Sequence, residues 1–157
     1  RSSQRTQVYL GYDNKNIYFV FVCFDSSPHE TRARLSRRED IFDDDTVEVM
    51  LDTFHDERNG YQFATNPEGA MWDGQMANEG RETNESWDSV WYVKTKRHSD
   101  GWTAEFSIPF KSLKFRELDV QSWGINFYRN LRRKNEDSYW SPLPRIYTLN
   151  RVSLAGT

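Results

Sequence analysis

Chemistry in this chain is concentrated in a few polar and aromatic side chains. Asp43, Asp44 and Asp45 stand together just before an alternating apolar run, and Asp25 closes an earlier apolar run. Calcium takes roughly six to eight oxygens from carboxylates, carbonyls and water, so these four aspartates are the candidate metal ligands. Their spacing is not that of an EF-hand loop. Arg32, Arg34, Arg37 and Arg38 precede the cluster and offer ion pairing as the plainer use of the same carboxylates.

A second set suits a flat, hydroxyl-rich ligand. Trp72 and Trp140 fall in polar surroundings expected to be loops, where an indole face can carry the C–H side of a sugar ring. Asn66, Asp73, Arg129 and Glu136 lie near them in sequence and supply amide and charged partners for hydroxyl groups. The competing reading is that both rings close the ends of a core. Trp87, Trp91, Trp102 and Trp123 sit in strand-like patterns and are expected inside.

Catalytic arrangements find less support, and no catalytic residue is assigned. Glu48 and Asp52 share one strand face but lie about 13 Å apart at roughly 3.3 Å per residue. Paired glycosidase carboxylates need roughly 5–9.5 Å, so a third acid such as Glu105 would have to approach from a neighbouring strand. His29, His55 and His98 are scattered, read as exposed, and match neither a zinc motif nor a catalytic triad. Arg129, Arg132, Arg133 and Lys134 form a short basic patch, offset by Glu136 and Asp137, which reads as a solvated hairpin rather than a nucleic-acid surface. No phosphate-binding glycine motif is present.

These groups must be held by strands. The 157 residues carry a net charge of -3, 36% hydrophobic and 15% aromatic residues, with six Trp. A chain of this size buries roughly two thirds of its unfolded surface, with large rings contributing much of the core. Residues 7–12 and 16–25 read as consecutive strands around the Asx-rich turn Asp13-Asn14-Lys15-Asn16. The second run is apolar on both faces, which predicts a central strand covered on both sides. Residues 29–40 read as an exposed excursion with a helical turn.

Val47, Val49 and Leu51 then alternate with Glu48, Met50 and Asp52. Asn59-Gly60 predicts a turn, residues 61–66 a returning strand, and residues 74–86 a polar surface loop. Residues 87–96, 102–108 and 123–129 read as further strands, residues 110–115 as a short helical or 3₁₀ segment, and residues 147–154 as a last short strand. Cys23, the lone cysteine, reads as a buried free thiol and excludes an internal disulfide. No apolar run is long enough to span a membrane as a helix. Because the chain starts at Arg1 rather than Met, it is expected to be part of a longer protein.

Three stretches together resemble the carbohydrate-binding family 9-like domain. They are residues 44–56 with Asn59-Gly60-Tyr61-Gln62-Phe63 and Asn66-Pro67-Glu68-Gly69, then residues 101–115, then Trp123-Gly124-Ile125-Asn126-Phe127 with Arg129, Glu136 and Tyr139-Trp140. More narrowly, they resemble the version found near the N-terminus of large bacterial surface proteins. The resemblance implies an all-β fold, an antiparallel, jelly-roll-like β-sandwich with short helical excursions, over residues 1–157 as one domain. It also implies that a first strand usual in the family is missing. Members clamp a sugar between two aromatic rings and often hold structural calcium, but neither clamp ring aligns here.

The resulting expectation is a non-catalytic carbohydrate-binding or accessory module. It would serve a periplasmic, outer-membrane-associated or secreted protein that processes carbohydrate, beside that protein's other domains. No nucleic-acid partner and no direct membrane insertion are expected. The alternative is a structural or protein-docking sandwich without a sugar site.

Overall fold

The computed structural model describes residues 2–34 and 41–157, and it is a β-sandwich. The part of the expected excursion that carries Arg37 and Arg38 lies outside the described residues. Strands run β1 Thr6–Tyr12, β2 Asn16–Phe24, β3 Thr46–Asp52, β4 Gly60–Thr65 and β5 Met71–Ala77. They continue with β6 Glu82–Asn84, β7 Tyr92–His98, β8 Gly101–Pro109, β9 Gly124–Leu131 and β10 Glu136–Tyr139. A four-stranded sheet is ordered β1-β2-β8-β7, and a six-stranded sheet β10-β9-β3-β4-β5-β6. All pairings are antiparallel. Among the described residues the only helical elements are short 3₁₀ turns, including Pro28–Glu30 in the excursion and Phe110–Ser112 after β8. Among the described residues no helix is long and apolar enough to cross a membrane.

The core forms where the period-two alternation of both sheets meets. Ile17, Phe19, Phe21 and Cys23 of β2 face Val47, Val49 and Leu51 of β3, with Trp102, Ala104, Phe106 and Ile108 of β8 completing the layer. Rings interlock across it: Trp91 stacks on Phe106 at 5.5 Å and 10°, and Phe63 meets Trp91 edge-on at 5.2 Å. Asp13 sets the first hairpin by accepting the Lys15 and Asn16 backbone N–H groups at 2.7 and 2.8 Å. The β7–β8 turn needs its glycine, since Gly101 has φ +146° and a Cβ there would lie 1.9 Å from the Cys23 carbonyl. Burial pushes the free Cys23 thiol up to about 12.

Several sequence expectations change in the fold. β2 is central in its sheet but buried on one face only; Tyr18, Val20, Val22 and Phe24 line a half-buried outer face. The opposite holds for β3, whose seven residues are all buried. Its outer face is covered by Leu149 and Val152, which pack with Met50 and Met76. The strand expected near residues 147–154 is instead a 3₁₀ turn, Val152–Leu154, followed by an isolated bridge from Gly156 to Ile125. Residues 74–86 are not a loop: β5 runs to Ala77 and β6 follows a 3₁₀ turn at Asn78–Gly80. The polar composition arises because β6 is an exposed edge strand. Trp87 and Trp91 precede β7 rather than lying in it, yet both rings pack inward.

Phe106 touches both Trp91 and Phe21, at ring separations of 5.5 and 5.4 Å, with no exposed surface to relax into. Phe106→Ala is expected to lower unfolding free energy by about 3–5 kcal/mol, read by urea titration with an unchanged m-value.

Candidate functional site

The outer face of the six-stranded sheet carries an unusual floor. Glu48 lies opposite Ala64 on β4 and Tyr128 on β9, so its side chain shares a face with Met50, Gln62 and Trp72. It is only 3% exposed. Gln62 Nε2 donates to Glu48 Oε2 at 2.5 Å, and Thr46 Oγ1 makes a longer bond to Oε1 at 3.4 Å. Burial pushes the carboxyl up to about 7, against the stabilising hydrogen bonds from Gln62 and Thr46.

Aromatic residues wall this floor. Trp72 is cross-strand from Ala64 and lies over Gly74, where a Cβ would come within 2.8 Å of the indole. Only an absent side chain leaves room for the ring to lie flat along β5. Phe42 meets Trp72 edge-on at 5.3 Å and 73°, and is itself 48% exposed. On the other side Tyr128 and Tyr139 pair across β9 and β10 at 5.0 Å. Tyr128 donates its hydroxyl proton to Asp137 Oδ1 at 2.6 Å, and Asn130 Nδ2 donates to the same oxygen at 2.9 Å. Thr148, Leu149 and Asn150 of the C-terminal segment close the rim around a cleft of about 290 Å³. That volume is at the small end of ligand sites.

Of the residues singled out in the sequence, Trp72 lies in this cleft, on a strand rather than a loop and only 4% exposed. Trp140 lies elsewhere. It is 56% exposed, contacts Phe127 of the inner face at 5.9 Å, and lines clefts at the open β1–β10 side of the sandwich. The two indoles therefore do not form one clamp. Asn66 is buried and fully used. Its Nδ2 donates to the Arg34 carbonyl and to Asp44, and its Oδ1 accepts from the Glu68 and Ala70 N–H groups. Asp73 is buried and accepts the Ser89 N–H at 2.9 Å. Arg129 is buried beside the Trp140 cleft, donating from Nη1 to the Arg5 carbonyl and Thr6 Oγ1. Glu136 accepts from Ser3 N at 2.9 Å and Ser2 Oγ at 3.3 Å, fastening the N-terminal residues to β10.

The aspartates are drawn to separate partners. Asp43 faces Arg34 and Arg132 at 3.7 and 3.3 Å, and Asp44 accepts from Arg34 N and Nε and from Asn66. Asp45 accepts Arg132 N at 2.9 Å, while Arg133 grips both oxygens of Asp25 at 2.5 and 2.6 Å. Among the described residues no group of three or more His, Cys, Asp or Glu is placed to hold a metal ion. This donor set, divided among arginines, Asn66 and backbone N–H groups, does not fit one shared calcium ion. Of the basic patch, Arg132 and Arg133 are held by these pairs, while Arg129 donates to Arg5 and Thr6 and Lys134 to Ser3 Oγ. Glu105 sits exposed on the four-stranded sheet, so it does not approach Glu48 or Asp52.

Phe42, Gln62, Tyr128 and Tyr139 belong to the cleft and were not among the ligand-binding residues expected from the sequence. Gln62 lies on the Glu48 face because β3 and β4 pair Met50 with Gln62; the expected turn at Asn59-Gly60 is not formed, since Gly60 opens β4 and the chain turns within residues 53–58.

Glu48 also predicts a pH dependence. Its carboxyl titrates near 4.5 when unfolded and at about 7 when folded, so the folded state binds the proton more tightly. Stability is greatest below the unfolded value, falls as pH rises between the two, and is flat above the folded value. Comparison of thermal or urea unfolding across that window should show a loss of up to about 3 kcal/mol. Glu48→Gln, which keeps the shape without the charge, should remove most of it.

The carbohydrate family 9 binding domain-like model matches residues 2–140. Among solved structures, a candidate carbohydrate-binding protein from Bacteroides uniformis superposes with a TM-score of 0.78 at 17% identity, covering 98% of this chain and 77% of that one. A family 9 carbohydrate-binding module from Caldicellulosiruptor kristjanssonii, in complex with glucose, gives 0.67 at 18% identity over 99% of this chain and 76% of its own. A family 9 module from the same organism, in complex with cellotriose, gives 0.58 at 17% identity over 88% and 65%. At such identities the likeness is one of fold. No curated protein matches the chain. A model match across nearly the whole sandwich makes the chain a member of the carbohydrate family 9 binding domain-like family.

Proposed function

We propose that this domain is a non-catalytic carbohydrate-binding module and that the cleft over Glu48 is its saccharide site. The observation that carries this reading is the joining of exposed and buried rings, Phe42 and Trp72, to a buried carboxyl–amide pair, Glu48 and Gln62. A sugar ring needs both an apolar wall and oriented acceptors and donors for its hydroxyls. Here Glu48, Asp137 and Asn150 accept, and Gln62 and Thr148 complete the polar lining. Family membership and the glucose and cellotriose complexes of the structural neighbours support the same ligand class. The reading extends to an accessory role beside other domains of a larger carbohydrate-processing protein, in the periplasm, at the outer membrane or outside the cell. It routes no binding through calcium.

Calorimetric titration with glucose, cello-oligosaccharides and a wider glycan panel tests it. Saturable binding is expected, weakened at least about tenfold, or about 1.4 kcal/mol, in Phe42→Ala with little change in melting temperature. Chelator should leave the isotherm unchanged, and Trp140→Ala should bind as the parent does. If Trp140→Ala abolishes binding while Phe42→Ala is silent, the site lies in the Trp140–Arg129 cleft instead. No binding by the folded domain to any glycan overturns the function.

A further inference from the structure

Charge in the cleft is one-sided. Glu48 on the floor and Glu85 and Asp137 at the rim are acidic, and none of the described lining residues is Lys, Arg or His. The nearby arginines are committed elsewhere: Arg132 pairs with Asp43, and Arg151 pairs with Glu79 while stacking on Tyr147 at 4.5 Å. Among the described residues no cation forms an ion pair with Glu48, Glu85 or Asp137, and Arg132, which shares the adjoining cleft with Asp137, is turned to Asp43. Four rings stand among them, Phe42, Trp72, Tyr128 and Tyr139. Aromatic faces with adjacent carboxylates form the surroundings in which an ammonium group is held, by cation–π attraction and charge-assisted hydrogen bonds.

Acceptor capacity remains as well. Each carboxylate oxygen has about two lone pairs, yet Glu48 Oε1 receives only the 3.4 Å contact from Thr46. Among the described residues the hydrogen bonds to Asp137, from Tyr128 and Asn130, both go to Oδ1. A neutral sugar could donate hydroxyl protons to these oxygens, but it would bring no counter-charge to Glu85 and Asp137 and would leave Glu48 holding its proton. A ligand amine supplies that counter-charge.

We infer that the cleft over Glu48 selects saccharides bearing a protonated amine, amino sugars, over their neutral counterparts; this rests on the saccharide-site reading above. Because burial holds the Glu48 carboxyl up at about 7, a bound ammonium draws its proton off near neutrality. Amine binding is therefore accompanied by proton release, a signature that a neutral sugar need not share.

Disaccharides of glucosamine, N-acetylglucosamine and glucose with one common linkage differ only at the second carbon, so they separate charge from shape. At roughly pH 6.5, where the amine is protonated, the glucosamine disaccharide is expected to bind about tenfold tighter than the other two. That advantage should shrink with added salt and fall below about threefold in the Glu85→Gln/Asp137→Asn double variant. Calorimetry in two buffers of different ionisation enthalpy should show proton release for the glucosamine disaccharide, lost in Glu48→Gln. Equal or tighter binding of the glucose disaccharide, still weakened by Phe42→Ala, overturns the amine selection and leaves the saccharide site standing. Failure of all three disaccharides overturns the inference too, and the wider glycan panel then decides separately on the saccharide site.

Discussion

A carboxyl group held almost out of water on the middle strand of a sheet constrains everything around it. Glu48 is flanked on β3 by Thr46 and Met50, and its nearest donor, Gln62, comes from the paired strand β4. An unpaired buried carboxylate is severely destabilising, so the β3–β4 register cannot slip without stranding this group. The Asp52–Gly60 connection keeps that register. Asp52 accepts the Asp56 and Glu57 N–H groups, and Asp56 in turn accepts those of Arg58 and Asn59.

The same face must also be covered. Met50 and Met76 would lie in water if the sheet ended the protein there, and Leu149, Val152 and Ala155 provide the apolar lid over them. On the other flank Ile41 packs with Ala64, Ala70 and Trp72. Neither cover reaches across Glu48, and the gap between them is the cleft. The inner face of the same sheet is treated differently: its rings interlock with the four-stranded sheet, and space opens between the sheets at the side where Trp140 lies. One face of the sheet supplies stability; the other carries the binding surface, and its positioning depends on the first.

The sandwich was legible in the sequence because period-two alternation is local. Val47, Val49 and Leu51, or Trp102, Ala104, Phe106 and Ile108, declare their face within one strand. The cover over β3 was not legible, since Leu149 and Val152 are isolated apolar residues with no period of their own. Trp72 was read into a loop because Asp73 and Gly74 beside it have low strand propensity. The glycine is there to admit the indole, a reason visible only in three dimensions. The pairing of the aspartates was legible only in part: Arg34 stands near Asp44 in sequence, but Arg132 reaches Asp45 from the turn after β9, 87 residues on, and Arg133 reaches Asp25 across 108. Trp140 and Trp72 looked like a pair in composition, but the pleat sends them to opposite faces of one sheet.

The central claim is a place: a saccharide seated on the outer face of the six-stranded sheet, against Phe42 and Trp72 and over Glu48. Amide and indole chemical-shift mapping during saccharide titration locates it most directly. The account predicts shifts concentrated at the Trp72 indole N–H, the Gln62 side-chain amide, and the backbone around Phe42 and Tyr139. Shifts confined to Val8, Leu10, Trp140 and Gly156, on the open side of the sandwich, would contradict it.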